Sequence, residues 1–203
     1  MSKLLYGVGN YDMKGYSRSH AYNVWIGMIR RCYDSDFQDK HAPTYKGCEV
    51  DEDFKTFSKF LNFYTETYTE QQQGFVLDKD ILYDSNKVYS RYTARFVPRE
   101  INQLFALPKL DDNLEGNTKR YGVRMISKEC FEGSIIIDGV THKEYFGHPW
   151  LAHKYWQQKK AEQILLLADK YQDYIMPDVF QSLLNRAEKI LKYSIELRTT
   201  TKI

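Results

Sequence analysis

Cysteine is scarce in this chain, and the few cysteines lie too far apart to form a recognisable metal site. Among 203 residues there are three, Cys32, Cys48 and Cys130, and no Cys-x-x-Cys pair. Without such a pair a zinc ribbon is not expected. Free, buried thiols in a reducing compartment are the simplest interpretation, so the sequence predicts a cytoplasmic protein.

Long apolar runs are also missing. The longest aliphatic runs, 135–137 and 164–167, are far too short to cross a bilayer, and the N-terminal residues lack the apolar core of a signal peptide. We therefore expect a soluble protein without a membrane partner. The chain is 42% hydrophobic and 15% aromatic, which is enough to build real cores and argues against disorder.

A strong excess of charge of one sign is absent as well. The 29 basic and 27 acidic residues leave a formal net charge of +2. A nucleic-acid-binding function therefore requires a local basic face rather than a basic chain. The sequence also lacks a phosphate-binding loop, a glycine-rich dinucleotide fingerprint and a nucleophile elbow, which removes the function classes that those motifs mark.

Amphipathic helices are predicted in the first half. Ser19 is placed to cap a helix over 20–33, whose apolar residues recur at helical spacing. Asp51 or Asp53 is placed to cap a second helix, and a short third helix is predicted over 98–105. An aromatic stripe on the second helix indicates a side that faces the core. The stripe consists of Phe54, Phe57, Phe60, Leu61 and Tyr64.

Oxygen-bearing side chains follow the apolar run 75–77. They are Asp78, Asp80, Asn86 and, after a second apolar run, Asn102. Carboxylate and amide oxygens are ligands for a hard divalent cation, which can polarise a phosphate and activate a water. The alternative is a plain β-hairpin whose turn is rich in Asp, Ser and Asn because these residues suit turns.

The second half has the pattern of a small sheet followed by two long helices. Pro, Asp, Asn and Gly are dense over 107–119, which predicts a linker at 109–118. Strand-like alternation follows, and Asp138-Gly139 between two apolar runs predicts a hairpin. Helices are predicted over 149–171 and 177–197.

Strand alternation also assigns faces to the first strand of this sheet. It puts Arg120, Gly122 and Arg124 on one side, and Tyr121, Val123 and Met125 on the side facing the helix. The predicted fold class is α+β. It comprises N-terminal helices and a ββα unit, then a three-stranded antiparallel sheet packed on a helix, with C-terminal helices.

Residues 20–105 resemble a phage-borne group of HNH, or His-Me finger, endonucleases. The resemblance implies that residues 1–108 form a nuclease domain with a ββα-metal finger, and that Mg²⁺ or Mn²⁺ is its cofactor. Three pieces in the family's order carry it: Tyr22-Asn-Val-Trp-Ile-Gly-Met-Ile-Arg-Arg-Cys-Tyr33, Tyr45-Lys-Gly-Cys-Glu-Val50, and Leu77-Asp-Lys-Asp80 with Asn86, Tyr89-Ser90 and Phe96-Val-Pro98.

The same resemblance implies roles for individual side chains. In the family a hairpin residue, usually His, is the general base for water. That position falls here on Asp78, or on Lys79 if the family's Asp-His pair aligns with Asp78-Lys79, and residues 74–105 contain no His. Catalytic roles are implied for Asp78, Asp80 and Asn86, and metal-ligand roles for Asp78, Asp80 and Asn102. The alternative is a finger retained as a scaffold without activity.

Residues 119–203 resemble the plant Apetala/ethylene-response DNA-binding domain, which also occurs fused to phage HNH nucleases. In that family a three-stranded sheet lies in the major groove, so double-stranded DNA is the implied partner. The match consists of Arg120-Tyr-Gly-Val-Arg124, the 131–137 strand, Asp138-Gly139 and Tyr145-Phe-Gly147, ahead of the helix that opens at Pro149. The residues implied to contact DNA are Arg120, Arg124, Lys128, Lys143 and Tyr145.

A second interpretation of these charges stays open, namely that they are solvated side chains on a half-exposed sheet. Glu132 and Glu144 lie among them and would repel phosphate.

Together the two resemblances imply a metal-dependent DNA endonuclease of the phage homing type, in which one domain cuts and the other selects the site. It would act in the cytoplasm of the host cell. The alternative is a catalytically inactive DNA-binding regulator, or a phage protein that inhibits a host factor and so has a protein partner. The sequence leaves the oligomeric state open.

Overall fold

The predicted α+β composition is confirmed. The computed structural model describes residues 4–116, 119–196 and 198–200, with helices in both halves and a three-stranded antiparallel sheet in the second half. The chain divides into two compact units, Met1–Asn102 and Gln103–Ile203. Within the described ranges, none of the helices has the length and apolar character that crossing a membrane requires.

The first unit combines helices with short strands. Strands β1 and β3 pair in parallel, and strands β2 and β4 pair antiparallel. The elements are α1 (His20–Tyr33), α2 (Ser35–His41), β1 (Glu49–Val50), α3 (Glu52–Lys55), α4 (Phe57–Thr67), β2 (Val76–Asp78), β3 (Val88–Tyr89), β4 (Arg95–Val97) and α5 (Arg99–Leu104), with 3-10 turns at Pro43–Tyr45 and Glu70–Gln72.

Helix α1 has the predicted bounds and the predicted cap. The Ser19 hydroxyl accepts a hydrogen bond from the Tyr22 amide at 3.1 Å, which satisfies one of the free N–H groups of the first turn. Trp25, Met28 and Ile29 on its apolar face are 0% exposed. The Trp25 indole, although fully buried, donates to the Phe54 carbonyl at 2.8 Å, so its polar atom is paired.

The predicted second helix is divided into α3 and α4 at Thr56, which is extended. Backbone from the segment before α1, here called the N-terminal arm (residues 4–18), is inserted at this point. The Asn10 amide donates to the Lys55 carbonyl at 2.9 Å, and the Phe57 amide donates to the Asn10 carbonyl at 3.0 Å. The predicted apolar stripe nevertheless faces the core, and Phe57 is 0% exposed.

The hairpin predicted after Gly74 forms, although only part of its second apolar run takes part. Strand β2 pairs with β4 in the register Asp78 to Arg95. Between them β3 leaves the hairpin and pairs with β1 instead. Helix α5 follows directly after β4, so a helix follows the paired strands β2 and β4.

The second unit is a three-stranded antiparallel sheet on a long helix, followed by another helix. The strands are β5 (Val123–Ser127), β6 (Cys130–Ile137) and β7 (Val140–Phe146) in the order β5-β6-β7, and the helices are α6 (Pro149–Tyr171) and α7 (Pro177–Ile195). The Asp138-Gly139 hairpin is confirmed. Both residues have positive φ, +49° and +76°, as a tight turn between twisted strands requires.

The residues predicted as a linker, 109–118, fall within the range of the second unit. Leu114 is 1% exposed and packs into the apolar core between sheet and helix. The Asp111 carboxylate accepts a hydrogen bond from the Met125 amide at 2.8 Å. Asp111 and Leu114 are therefore anchored to the second unit, and residues 117–118 of the predicted linker lie outside the described ranges.

Two glycines bring the sheet into direct contact with α6. A Cβ atom at Gly133 would lie 2.5 Å from the Ala152 carbonyl oxygen, and one at Gly122 would lie 2.0 Å from the Trp156 side chain. Gly122 therefore faces the helix, and the prediction that it shares a side with Arg124 is wrong. Its φ of +71° reverses the local alternation.

The last described residues are bound to the N-terminal half of α6 by two buried polar side chains. The His153 Nε2 atom accepts from the Thr200 amide at 3.1 Å, while Nδ1 lies 2.9 Å from the Tyr121 carbonyl oxygen. Gln157 donates to the Arg198 carbonyl at 2.8 Å. Burial lowers the pKa of His153 to about 4, which keeps the ring neutral and able to accept.

Replacing Gly122 by alanine is expected to destabilise the second unit far more than replacing Gly139. Both glycines have positive φ, so each substitution costs about 1–2 kcal/mol of backbone strain. In Gly122→Ala the added methyl group also collides with Trp156, and this overpacking lowers the stability by about a further 1–3 kcal/mol. Thermal unfolding followed by near-ultraviolet circular dichroism measures the difference, and equal losses would contradict the close approach.

Candidate functional site

The carboxylate of Asp78 closes the turn that follows β2. Its Oδ1 atom accepts hydrogen bonds from the backbone amides of Asp80 at 2.7 Å and Ile81 at 2.6 Å. Burial raises the pKa of Asp78 above its usual value, and the neighbouring Asp80 charge acts in the same direction, while the two amides and Lys79 oppose it. Asp78 is thus a half-buried carboxylate that is a stronger base than an exposed one.

Lys79 and Asp80 form an ion pair within the same turn. The Lys79 ammonium lies 2.6 and 2.7 Å from the two Asp80 carboxylate oxygens. Lys79 itself is 7% exposed, and its Nζ atom is 5.8 Å from the Tyr45 ring centroid. The position where the family resemblance places a general base is therefore occupied either by Asp78 or by a buried, paired lysine.

Arg31 lies beside the same aromatic ring and was not identified from the sequence. Its Cζ atom is 5.4 Å from the Tyr45 ring centroid and 5.9 Å from that of Tyr89. Two cations, Arg31 and Lys79, therefore contact Tyr45. The only sequence signal was the basic pair Arg30-Arg31 in the last turn of α1, and a basic last turn is equally typical of a solvated helix end.

The amide of Asn86 holds the long connection between β2 and β4. Its Nδ2 atom donates to the Lys79 carbonyl at 2.9 Å and to the Val88 carbonyl at 2.7 Å. Its Oδ1 atom accepts from the Val88 amide at 3.3 Å. Asn102 has an exposed side chain on α5. Of the predicted site residues in this unit, Asp78, Asp80 and Asn86 come together around one turn.

These side chains do not form a ready set of ligands for a divalent ion. Both Asp80 oxygens contact the Lys79 ammonium, and the Asn86 amide is used by the backbone. Mg²⁺ needs several oxygen ligands in octahedral geometry. Over the described ranges there is no group of three or more His, Cys, Asp or Glu side chains placed to hold a metal. Binding of Mg²⁺ or Mn²⁺ therefore stays a prediction from the resemblance.

The outer face of the second unit's sheet gathers three of the residues predicted to contact DNA. Strand register aligns Arg124 with Glu132 and Glu132 with Tyr145, and Lys143 lies opposite Ser134 one step further along. Cross-strand partners point to the same side of a sheet. Arg124, Lys143 and Tyr145 therefore share the face turned away from α6, and all three are exposed.

Glu132 is the acidic member of this outer face. Its side chain is 7% exposed and lies 3.1 Å from the Arg124 guanidinium, so the pair restrains the arginine. Lys143 has its Nζ atom 5.9 Å from the Tyr145 ring centroid. On the strands, two cations, Arg124 and Lys143, thus accompany one carboxylate. Glu144 is aligned with Gly133 and points to the other side of the sheet.

The remaining two predicted DNA contacts lie elsewhere. Arg120 is half-buried, with its Cζ atom 5.7 Å from the Trp150 ring centroid on α6, so it is associated with the helix rather than with the outer face. Burial lowers its pKa from the usual value. Lys128 is exposed in the turn between β5 and β6, at one end of the sheet.

Three outward residues of the sheet were not singled out from the sequence as contacts. Ser134, Ile136 and Thr141 share the outer face, since Ile136 is aligned with Thr141 and alternates with the buried Ile137. The Asp138-Gly139 turn fixes this register, so counting back from it would have found them.

Comparisons with known proteins identified no relative of this chain. The chain matches no protein-family model, no curated protein and no solved structure. We therefore infer its function from the arrangement of its own side chains.

Asp78→Asn is expected to change how stability depends on pH. Because the folded-state pKa of Asp78 lies above 3.8, folding favours its protonated form. The resulting stabilisation of the folded state is complete below about pH 4 and is lost as the pH rises through the raised pKa of Asp78. The wild type should therefore lose stability relative to Asp78→Asn across this interval, as measured by urea unfolding. Asp84→Asn, on the exposed part of the same connection, is the control, and the same trend there would rule out Asp78 as the cause.

Proposed function

We propose that the protein binds double-stranded DNA through the outer face of the three-stranded sheet. The observation that carries this proposal is the common placement of Arg124, Lys143 and Tyr145 on that face. The opposite face is covered by α6, so the charged face is the side turned to solvent. The resemblance to the Apetala/ethylene-response domain supports the same surface.

The physical chemistry of this surface suits a DNA groove. A major groove admits a small β-structure, and an arginine can contact two acceptors of a guanine edge at once. Arg124 is held by a nearly buried carboxylate, Glu132, which restricts its rotation before it binds. Lys143 and Lys128 are exposed and suit phosphate contacts, which position a protein without reading sequence.

Removing the two exposed lysines should weaken binding to all duplexes and reduce its salt dependence. Each lost phosphate contact lowers the slope of log affinity against log salt by about 0.9. Lys128→Ala combined with Lys143→Ala is therefore expected to reduce the slope by about 2, measured by fluorescence anisotropy from 50 to 200 mM salt. Lys189→Ala on α7 is the control and should leave the slope unchanged. Equal slopes for all variants would place the DNA surface elsewhere.

A second candidate function is DNA cleavage by an endonuclease of the phage homing type. It is favoured by Asp78, a half-buried carboxylate with a raised pKa at the end of β2. A general base works best with a pKa near the operating pH, and an unperturbed aspartate is too weak. The order β2, β4, α5 agrees with the ββα unit that the HNH resemblance implies. A catalytically inactive regulator remains the alternative within this proposal.

Nicking of supercoiled plasmid separates these two candidates. The full-length protein is incubated with Mg²⁺, with Mn²⁺ or with a chelator. If Asp78 is the base, Asp78→Asn should lower the nicking rate about 100-fold or more, because general-base catalysis contributes at least that much. Asp84→Asn should nick at the wild-type rate. Absence of nicking by the wild type, together with salt-sensitive binding, would leave a DNA-binding regulator.

A further inference from the structure

The tip of the β6–β7 hairpin carries an exposed apolar side chain in an unusual place. Ile136 is 63% exposed, and its alignment with Thr141 turns it to the outer face. Antiparallel sheets with one solvated face normally have polar residues there. Ile136 lies on the same strand face as Glu132 and Ser134, which precede it at two-residue spacing, so it continues the surface proposed to bind DNA.

The hairpin extends beyond the third strand at this point. Val123, the first residue of β5, is aligned with Gly133, so β6 and β7 continue alone to the Asp138-Gly139 turn. A two-stranded ribbon of this kind is one of the shapes that a major groove about 12 Å wide accepts. Ile136 and Thr141 are the outward pair nearest to its tip.

The backbone of Ile136 is fixed by a contact from α6. The Gln163 amide Nε2 atom donates to the Ile136 carbonyl at 3.2 Å. Its Oε1 atom accepts from the Lys160 ammonium at 3.0 Å, which settles the orientation of the amide. Lys160 is 7% exposed, so the contact starts from a buried and ordered group. The isoleucine is therefore presented by a rigid support.

We propose that Ile136 reads the 5-methyl group of a thymine in the major groove of double-stranded DNA. This inference rests on the proposed DNA-binding function. The thymine methyl is the one apolar group on a base edge in that groove, and a branched aliphatic side chain is its natural contact. Thr141 beside it adds a second methyl group and a hydroxyl.

The strand geometry also predicts how far this thymine lies from the base pair that Arg124 contacts. Arg124 is aligned with Glu132, four residues before Ile136 on β6. Four residues of strand span about 13 Å, which equals about four base-pair steps of 3.4 Å. With β6 lying along the groove, guanine and thymine preferences should therefore be about four base pairs apart.

Thymine-to-uracil substitution tests the proposal, because uracil keeps the pairing edge and lacks only the methyl group. Duplexes are first selected by the full-length protein from a randomised library, and each thymine of the selected site is then replaced in turn. Burying one methyl group corresponds to about a fourfold change in affinity. One position should show this loss with the wild type and no loss with Ile136→Ala.

Val140→Ala is the matched control. Val140 is also β-branched and 58% exposed, but it is aligned with Ile137 and points to the other side of the hairpin. It should keep the full thymine preference. If replacing thymine by uracil lowers the affinity of the wild type and of Ile136→Ala equally at every position, the role of Ile136 is refuted while DNA binding stands. If no salt-sensitive binding or selection occurs with the wild type, the proposed function itself fails.

Discussion

Much of the second unit depends on the direct contact between sheet and helix at Gly122 and Gly133. No side chain separates these backbones from Trp156 and Ala152. With one face of the sheet in direct contact with α6, the other has to face outwards, and strand alternation then determines which side chains it carries. Because Gly122 and Gly133 carry no side chain, the sheet packs directly on α6 and its charged face is turned outwards.

In the first unit, polar side chains support the segment between β2 and β4. Between β2 and β4 the chain is held by the β1–β3 pairing and by side chains: Asp78 accepts from two backbone amides, Asn86 donates to two backbone carbonyls, and Lys79 pairs with Asp80. Buried backbone groups need partners, and here side chains supply them. The residues whose chemistry suggested a catalytic centre thus also hold the turn, which explains why substitutions there have to be tested for stability and for activity separately.

Local signals predicted the elements whose causes are local. The cap at Ser19, the Asp138-Gly139 turn and the start of α6 at Pro149 lie within a few residues of the structure they determine. Distant partners caused the differences. The helix is interrupted at Thr56, where Asn10 pairs with Lys55 and Phe57, and Gly122 faces Trp156 instead of sharing the side of Arg124. Likewise, Asp80, a predicted metal ligand, pairs with Lys79, which is 7% exposed. The spacing of residues along the sequence does not reveal this pairing or this burial.

The insertion of Asn10 between α3 and α4 ties a remote part of the chain to the middle of a helical region. Its amide and carbonyl complete the backbone pairing of Lys55 and Phe57, and the Ser58 amide donates to Asp12. Detaching the arm therefore exposes several helix-end groups together. The arm and the start of α4 should consequently open as one cooperative unit, with their slowly exchanging amides released in the same event.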